Sequence, residues 1–105
     1  FNVESGQGIK QLVDIMGLNP NQSFEFRFVS ASYNTALVTT KVIELSSDNF
    51  ATVKGENSGS ILVGAEPVIK TLTFTADANG KCSIYIRAKA GSTAGYINGY
   101  EIWPL

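Results

Sequence analysis

Between residues 72 and 89 the chain sets two alternating runs around one tight corner, a pattern that few folds accept. Leu72-Thr73-Phe74-Thr75-Ala76 leads into Asp77-Ala78-Asn79-Gly80, after which Cys82, Ile84, Ile86 and Ala88 alternate with Ser83, Tyr85, Arg87 and Lys89. A period of two belongs to a strand with one packed face and one solvated face. An Asn-Gly pair takes positive φ at small steric cost, so the corner predicts an antiparallel hairpin. Residues 96–103 then read as a last strand, stopped by Pro104.

The same alternation recurs upstream. Phe24, Phe26 and Phe28 interleave with Glu25, Arg27 and Val29 after the turn formers Gly17-Leu18-Asn19-Pro20-Asn21-Gln22, which predicts a strand over 23–30. Residues 8–18 admit two readings. Ile9, Leu12, Val13 and Met16 fall at i, i+3, i+4 and i+7 with Gly17 where a helix would be capped, whereas the turn that follows suits a strand over 10–15 paired as a hairpin with 23–30. The strand is preferred, and the helix stays open. Residues 36–45, rich in Val, Thr and Ile, form a further strand ended by Ser46-Ser47-Asp48-Asn49. Residues 50–54 are expected as a short strand, 55–59 as a loop, 61–63 as a short apolar piece and 90–94 as a loop of small residues. Pro67 can open a strand over 68–76, because a first strand position needs no N–H. With about seven to eight short strands and no repeat or linker, the expectation is an all-β, two-sheet antiparallel β-sandwich spanning residues 1–105 as one domain.

Composition removes several functions. A net charge of −1 with no cluster of Lys or Arg gives no field to hold a polyanion, so nucleic acid is not an expected partner. No apolar run approaches the roughly 18 residues that would cross a bilayer, so no membrane span is expected and the chain reads as soluble. Histidine is absent, which rules out an imidazole base beside a Ser or Cys nucleophile and a zinc site built on His. Asp14, Glu25, Glu44, Glu66 and Glu101 fall on separate predicted elements, with no shared cleft for a carboxylate pair. The chain is therefore not read as an enzyme. The single Cys82 excludes an internal disulfide, and its place on the apolar face of its strand suits a small buried side chain rather than a reactive thiol. Gly6-Gln7-Gly8-Ile9-Lys10 lacks the spacing of a phosphate loop, and Asn21-Gln22-Ser23 would matter as a glycosylation acceptor only in a secretory eukaryotic setting. Asp48 with Asn49 could contribute to a structural calcium site, but no dense acidic loop accompanies them. No cofactor is expected.

Three segments resemble a C-terminal β-sandwich domain of secreted and surface proteins of Bacteroides-type bacteria, a galactose-binding-like jelly roll similar to carbohydrate-binding modules. Gly17-Leu18-Asn19-Pro20-Asn21-Gln22-Ser23-Phe24-Glu25-Phe26 resembles its turn followed by aromatic-x-aromatic. Asp77-Ala78-Asn79-Gly80 with Ser83-Ile84-Tyr85-Ile86 resembles its Asp-x-x-Gly and alternating strand, and Gly95-Tyr96-Ile97-Asn98-Gly99-Tyr100-Glu101-Ile102 its Tyr-Leu-Asn-x-Leu-Glu-Ile ending. The resemblance covers about residues 9–103, and the family's customary opening strand is shortened or missing. It implies the C-terminal part of a longer exported protein with neighbouring domains, located in the periplasm, at the cell surface or in the medium. Such modules often serve beside enzymes that degrade polysaccharides, though the resemblance itself implies no particular ligand.

Two functions follow from these readings. The first is noncatalytic binding of a polysaccharide or oligosaccharide, for which Tyr33, Asn34, Tyr85, Arg87 and Trp103 are the candidate contacts. Sugars lay their C–H faces on aromatic rings while polar neighbours fix orientation. Each of these aromatics could equally serve the core or protect an edge, and Asn98 could bind sugar or bond to nearby backbone. The ligand question otherwise falls to the loops expected around Tyr33, Asn57 and Ser92. The second function is a structural, protein-interaction or self-associating domain without a sugar ligand, which the sparse charge fits equally well.

Overall fold

Three phenylalanines at every second position of one strand decide how this chain closes. A computed structural model describes residues 2–4, 11–30, 33–34, 42–58, 61–62, 68–90, 94–97 and 99–105. The strands are β1 (Asn2–Glu4), β2 (Gln11–Ile15), β3 (Ser23–Ser30), β4 (Tyr33–Asn34), β5 (Val42–Ser46), β6 (Gly55–Ser58), β7 (Ile61–Leu62), β8 (Val68–Thr75), β9 (Cys82–Ala88), β10 (Ala94–Tyr96) and β11 (Gly99–Pro104). Seven of them build two antiparallel sheets, ordered β11-β3-β8 and β2-β9-β5-β6. The protein is a two-sheet β-sandwich. Two small pairs complete the described strands, β1 with β10 antiparallel and β4 with β7 parallel. Among the described residues there is no helix, and so none long and apolar enough to cross a membrane.

Phe24, Phe26 and Phe28 of β3 and Phe74 of β8 are buried against Ile43, Leu45, Ile84 and Ile86 of the facing sheet. Phe74 stacks on Phe24 at 6.0 Å between centroids and meets Phe26 edge-on at 6.1 Å, both favourable arrangements of ring quadrupoles. Tyr100 of the edge strand β11 stacks on Phe26 at 5.2 Å and covers that side of the core.

The helix reading of residues 8–18 is overturned. Residues 11–15 pair with β9 from Gln11↔Ile86 to Ile15↔Cys82. Val13 and Ile15 pack inward while Leu12 and Met16 stay exposed, so the helical set of apolar positions divides between core and solvent.

Both expected hairpins are corrected as well. The 77–80 turn forms as a turn: Asp77 Oδ1 accepts from the N–H groups of Asn79 (2.8 Å) and Lys81 (3.0 Å), and Gly80 takes φ +72°. Its flanking strands nonetheless lie in opposite sheets, because β9 already has β2 and β5 on its two sides while β8 pairs with β3. The 17–22 turn likewise carries the chain from β2 in one sheet to β3 in the other. Each is an arch across the sandwich, and the two arches stack. Leu18 N donates to Gly80 O (3.2 Å), Asn21 N to Asp77 O (3.0 Å) and Ala76 N to Gln22 O (2.8 Å).

Smaller departures share local causes. Residues 50–54 form no strand, since Asn49 and Phe50 take φ +54° and +66°, and residues 55–58 are the strand β6 rather than a loop. Asn57 therefore sits in a ladder opposite Ile43. The expected last strand divides into β10 and β11 around the buried Ile97, and Pro104 ends β11 within the ladder, opposite Phe24. An edge strand tolerates its missing N–H. The Gly6–Lys10 fragment, residues 36–41, Pro67, residues 91–93 with Ser92, and Asn98 lie outside the described residues.

The stacked arches make a prediction about two glycines with similar backbones. A Cβ on Gly80 would overlap the Leu18 carbonyl oxygen, whereas one on Gly17 (φ +82°) meets nothing within 4 Å. Gly17→Ala should cost only the positive-φ penalty of about 1–2 kcal/mol, and Gly80→Ala more than about 3 kcal/mol because the arches must part. Urea denaturation of both variants checks this, and equal costs would count against the stacking.

Candidate functional site

Because the even-numbered residues of β3 fill the core, its odd-numbered ones must face outward. Register then places Trp103 opposite Glu25, Glu101 opposite Arg27 and Gly99 opposite Val29 on one side of β3, with Thr73, Thr71 and Ile69 opposite the same residues on the other. The outer face of the three-stranded sheet is thus a platform with an indole at one end and apolar side chains at the other. Arg27 Nε and Nη2 each donate to Glu25 Oε2 at 3.3 Å, and the guanidinium carbon lies 4.9 Å from the Trp103 ring centroid. Trp103 Nε1 donates to Glu101 Oε2 at 2.9 Å, which holds an indole that is still 48% exposed. A partly exposed ion pair of this kind contributes under about 1 kcal/mol to stability. Its effect here is orientation.

Beside this cluster runs an open groove of about 390 Å³, lined by Arg27, Val29, Ile69, Gly99 and Glu101 with Phe28 and Tyr100. Gly99 opens it, since a Cβ there would meet no atom within 4 Å, and Ile69 forms its far wall at 66% exposure.

Tyr85 and Arg87 lie on the outer face of the other sheet, opposite Ser46 and Glu44. Arg87 is occupied there. Its Nε donates to Glu44 Oε1 at 3.2 Å and its guanidinium carbon stands 4.0 Å from the Phe50 ring centroid. The loop that presents Phe50 is held by the fully buried Ser46, whose Oγ accepts from Asp48 N (3.1 Å) and Phe50 N (2.9 Å) and donates to Asp48 Oδ1 (2.6 Å). Asp48 Oδ1 also accepts from Thr52 N at 3.0 Å, and these bonds, the one from Ser46 first, hold the Asp48 carboxyl below its ordinary value. Lys89 pairs with Glu56 at 2.9 Å nearby. Tyr85 borders a polar groove of about 300 Å³ with Ser47, Asp48, Asp77, Lys81 and Ser83. Cys82, which also borders that groove, is buried, and burial followed by the Asp77 charge pushes its thiol up, so it stays protonated and inert.

The five residues singled out from the sequence therefore do not converge. Trp103 stands on one outer face of the sandwich, and Tyr85 and Arg87 on the opposite one. Tyr33 and Asn34 are in β4 rather than a loop, paired with Ile61 and Leu62. The platform adds Glu25, Arg27, Glu101, Gly99 and Ile69, none of which the sequence marked as a sugar contact; Glu25 and Glu101, expected on separate elements, share one face because β11 pairs with β3. Alternation in β3 already marked Glu25 and Arg27 as outward-facing. What it lacked was the partner strand that brings Trp103 beside them. Among the described residues no group of three or more Cys, Asp or Glu side chains is placed to hold a metal ion.

Comparison of the chain with protein-family models, with curated proteins and with solved structures finds no match.

The Ser46 bonds predict a linked effect on stability and its pH dependence. A folded-state pKa below the unfolded value of 3.8 means that Asp48 stabilises the protein above that pH and loses the contribution as pH falls through the lower folded value. Ser46→Ala should cost about 1–3 kcal/mol at pH 7 by stranding two N–H groups, and should also shrink the stability lost in acid below pH 3.8. Urea denaturation of both proteins at pH 7 and pH 3 tests the pair of effects. An unaltered acid dependence would contradict the role given to Ser46.

Proposed function

We propose that this protein is a noncatalytic carbohydrate-binding-like module of an exported bacterial protein, accessory to glycan capture or degradation, and that it takes sugar on the outer face of the three-stranded sheet. One observation carries this reading: a half-exposed indole, fixed by Glu101 and Arg27, stands on a regular sheet beside an open groove. A pyranose offers an apolar C–H face to such a ring and hydroxyls to the flanking carboxylates and guanidinium. The rigid strand positions limit the ordering cost of binding. The resemblance of the 17–26, 77–86 and 95–102 segments to a galactose-binding-like jelly roll of Bacteroides-type surface proteins supports the same reading. The setting proposed with it, as that resemblance implies, is the periplasm, the cell surface or the medium, with neighbouring domains in a longer chain.

A second reading, a self-associating or docking sandwich without a sugar ligand, is favoured by β11, which lies at the sheet edge among the described residues and exposes Tyr100 and Trp103, with the exposed Leu105 just beyond it. An unpaired strand edge with apolar side chains is a template for another strand.

Glycan arrays followed by titration calorimetry separate the two. Glycan binding tighter than about 1 mM, a free energy beyond about −4 kcal/mol, is expected. It should fall about tenfold or more in Trp103→Ala and remain unchanged in Tyr85→Ala on the opposite face. Absence of any glycan binding, with mass that rises with concentration in light scattering, would replace the sugar reading with the second one.

A further inference from the structure

We propose that the groove beside Arg27 selects N-acetylhexosamine residues and discriminates against anionic sugars, an inference that rests on the sugar-binding reading above. Three features of the groove meet in that one chemistry. Its wall is apolar where Ile69 and Val29 face each other across the β3–β8 ladder and Gly99 contributes no side chain. Its border carries one donor and one acceptor on different strands, Arg27 on β3 and Glu101 on β11, directly opposite in register. Side chains so paired have Cβ atoms about 4.5–5.5 Å apart, so both reach a single bound group.

An acetamido substituent has complementary parts. In a trans secondary amide the C=O and N–H point to opposite sides, so its two polar groups need an N–H donor on one side and an acceptor on the other. Arg27 keeps N–H groups beyond the two bonded to Glu25, and the Glu101 carboxylate keeps lone pairs beyond the one taken by Trp103. The methyl group then rests on Val29 and Ile69. Trp103 is left to stack on a sugar ring at the other end of the platform. An unsubstituted hexose would put a hydroxyl against the apolar wall and leave that part of the groove unfilled.

Charge points the same way. Among the described residues that face outward on β3 and β11, the platform holds one cation, Arg27, and two carboxylates, Glu25 and Glu101, so these side chains sum to +1 − 2 = −1. Thr71 and Thr73 on β8 add no charge. Arg27 is already paired with Glu25 at 3.3 Å, so a uronate or sulfate would meet net negative charge on the platform. A neutral amide meets neither obstacle.

The test is calorimetric titration with four trisaccharide-sized probes: N-acetylglucosamine trimer, its de-N-acetylated form, glucose trimer and galacturonate trimer. The wild-type protein is expected to bind the N-acetylated trimer about tenfold tighter than the glucose trimer, and the galacturonate trimer most weakly of the four. The de-N-acetylated cation separates amide recognition from simple attraction to the carboxylates, and equal or tighter binding of that probe would overturn the proposal. Gly99→Leu fills the groove from a position with open space and no positive φ, so it should abolish the preference for the acetylated probe while residual binding through Trp103 survives. Ile69→Ser, at an exposed position, should reduce the preference several-fold and serves as the second variant. Equal affinity of the wild type for acetylated and plain trimers, with binding still lost in Trp103→Ala, overturns the acetamido proposal and leaves the sugar reading standing. No binding of any probe overturns both.

Discussion

The backbone of Gly80 lies directly against the carbonyl of Leu18, and the relation of the two sheets depends on that approach. Each of the two arches carries the chain from one layer to the other, so neither layer can slide without dragging an arch. Three backbone hydrogen bonds join the arches. Directly beside them the ladders begin in matching register, with Ser23 opposite Thr75 in one sheet and Ile15 opposite Cys82 in the other. A shift of one residue in either ladder would turn every side chain of that strand to the wrong face. The close approach therefore sets parity as well as position: it sends Phe24, Phe26, Phe28 and Phe74 inward together with Ile15 and Ile84.

The outward platform is the other half of the same parity. Once the phenylalanines of β3 are committed to the core, Glu25, Arg27 and Val29 have no face but the outer one, and pairing with β11 and β8 supplies their neighbours. Burial of the aromatic core thus positions the polar cluster at no separate cost in loop ordering. Binding groups built on packed strands hold their geometry better than groups on loops. The indole of Trp103 also bonds through Nε1 while one side meets a guanidinium, which limits its rotamer freedom before any ligand arrives.

Much of the fold was legible from alternation. The strands around 23–30, 68–75 and 82–88 follow from period-two patterns, and the 77–80 turn from Asp77, Asn79 and Gly80, whose side-chain and positive-φ chemistry is local. Sheet membership was not legible, because an arch and a hairpin use the same turn residues. The difference lies in whether strand edges are free, and β9 has none: β2 and β5 occupy both. The site was half legible for the same reason. Glu25 and Arg27 were visible as an outward face and Trp103 as a candidate contact, but their meeting is a product of β11 pairing with β3 across more than seventy residues of chain. Tyr85 and Arg87 showed the same polar alternation, which carries no sign of the loop whose Phe50 engages Arg87.

That loop explains why the two outer faces, built of similar parts, differ in what they can do. Each presents an arginine beside an aromatic ring and a glutamate, Arg27 with Trp103 and Glu25, Arg87 with Phe50 and Glu44. Phe50, however, is a bulky residue at φ +66°, a conformation that costs about 1–3 kcal/mol and persists only when its surroundings enforce it. Ser46 enforces it through the backbone, and Arg87 at 4.0 Å does so through the ring. A ligand that drew Arg87 away would release the loop and forfeit those contacts, so the arginine is engaged in holding the protein together. Trp103 stands on a regular strand, and its partners Glu101 and Arg27 hold no strained segment in place. A ligand can share those partners without unfolding anything, which is the physical condition a preformed binding surface has to meet.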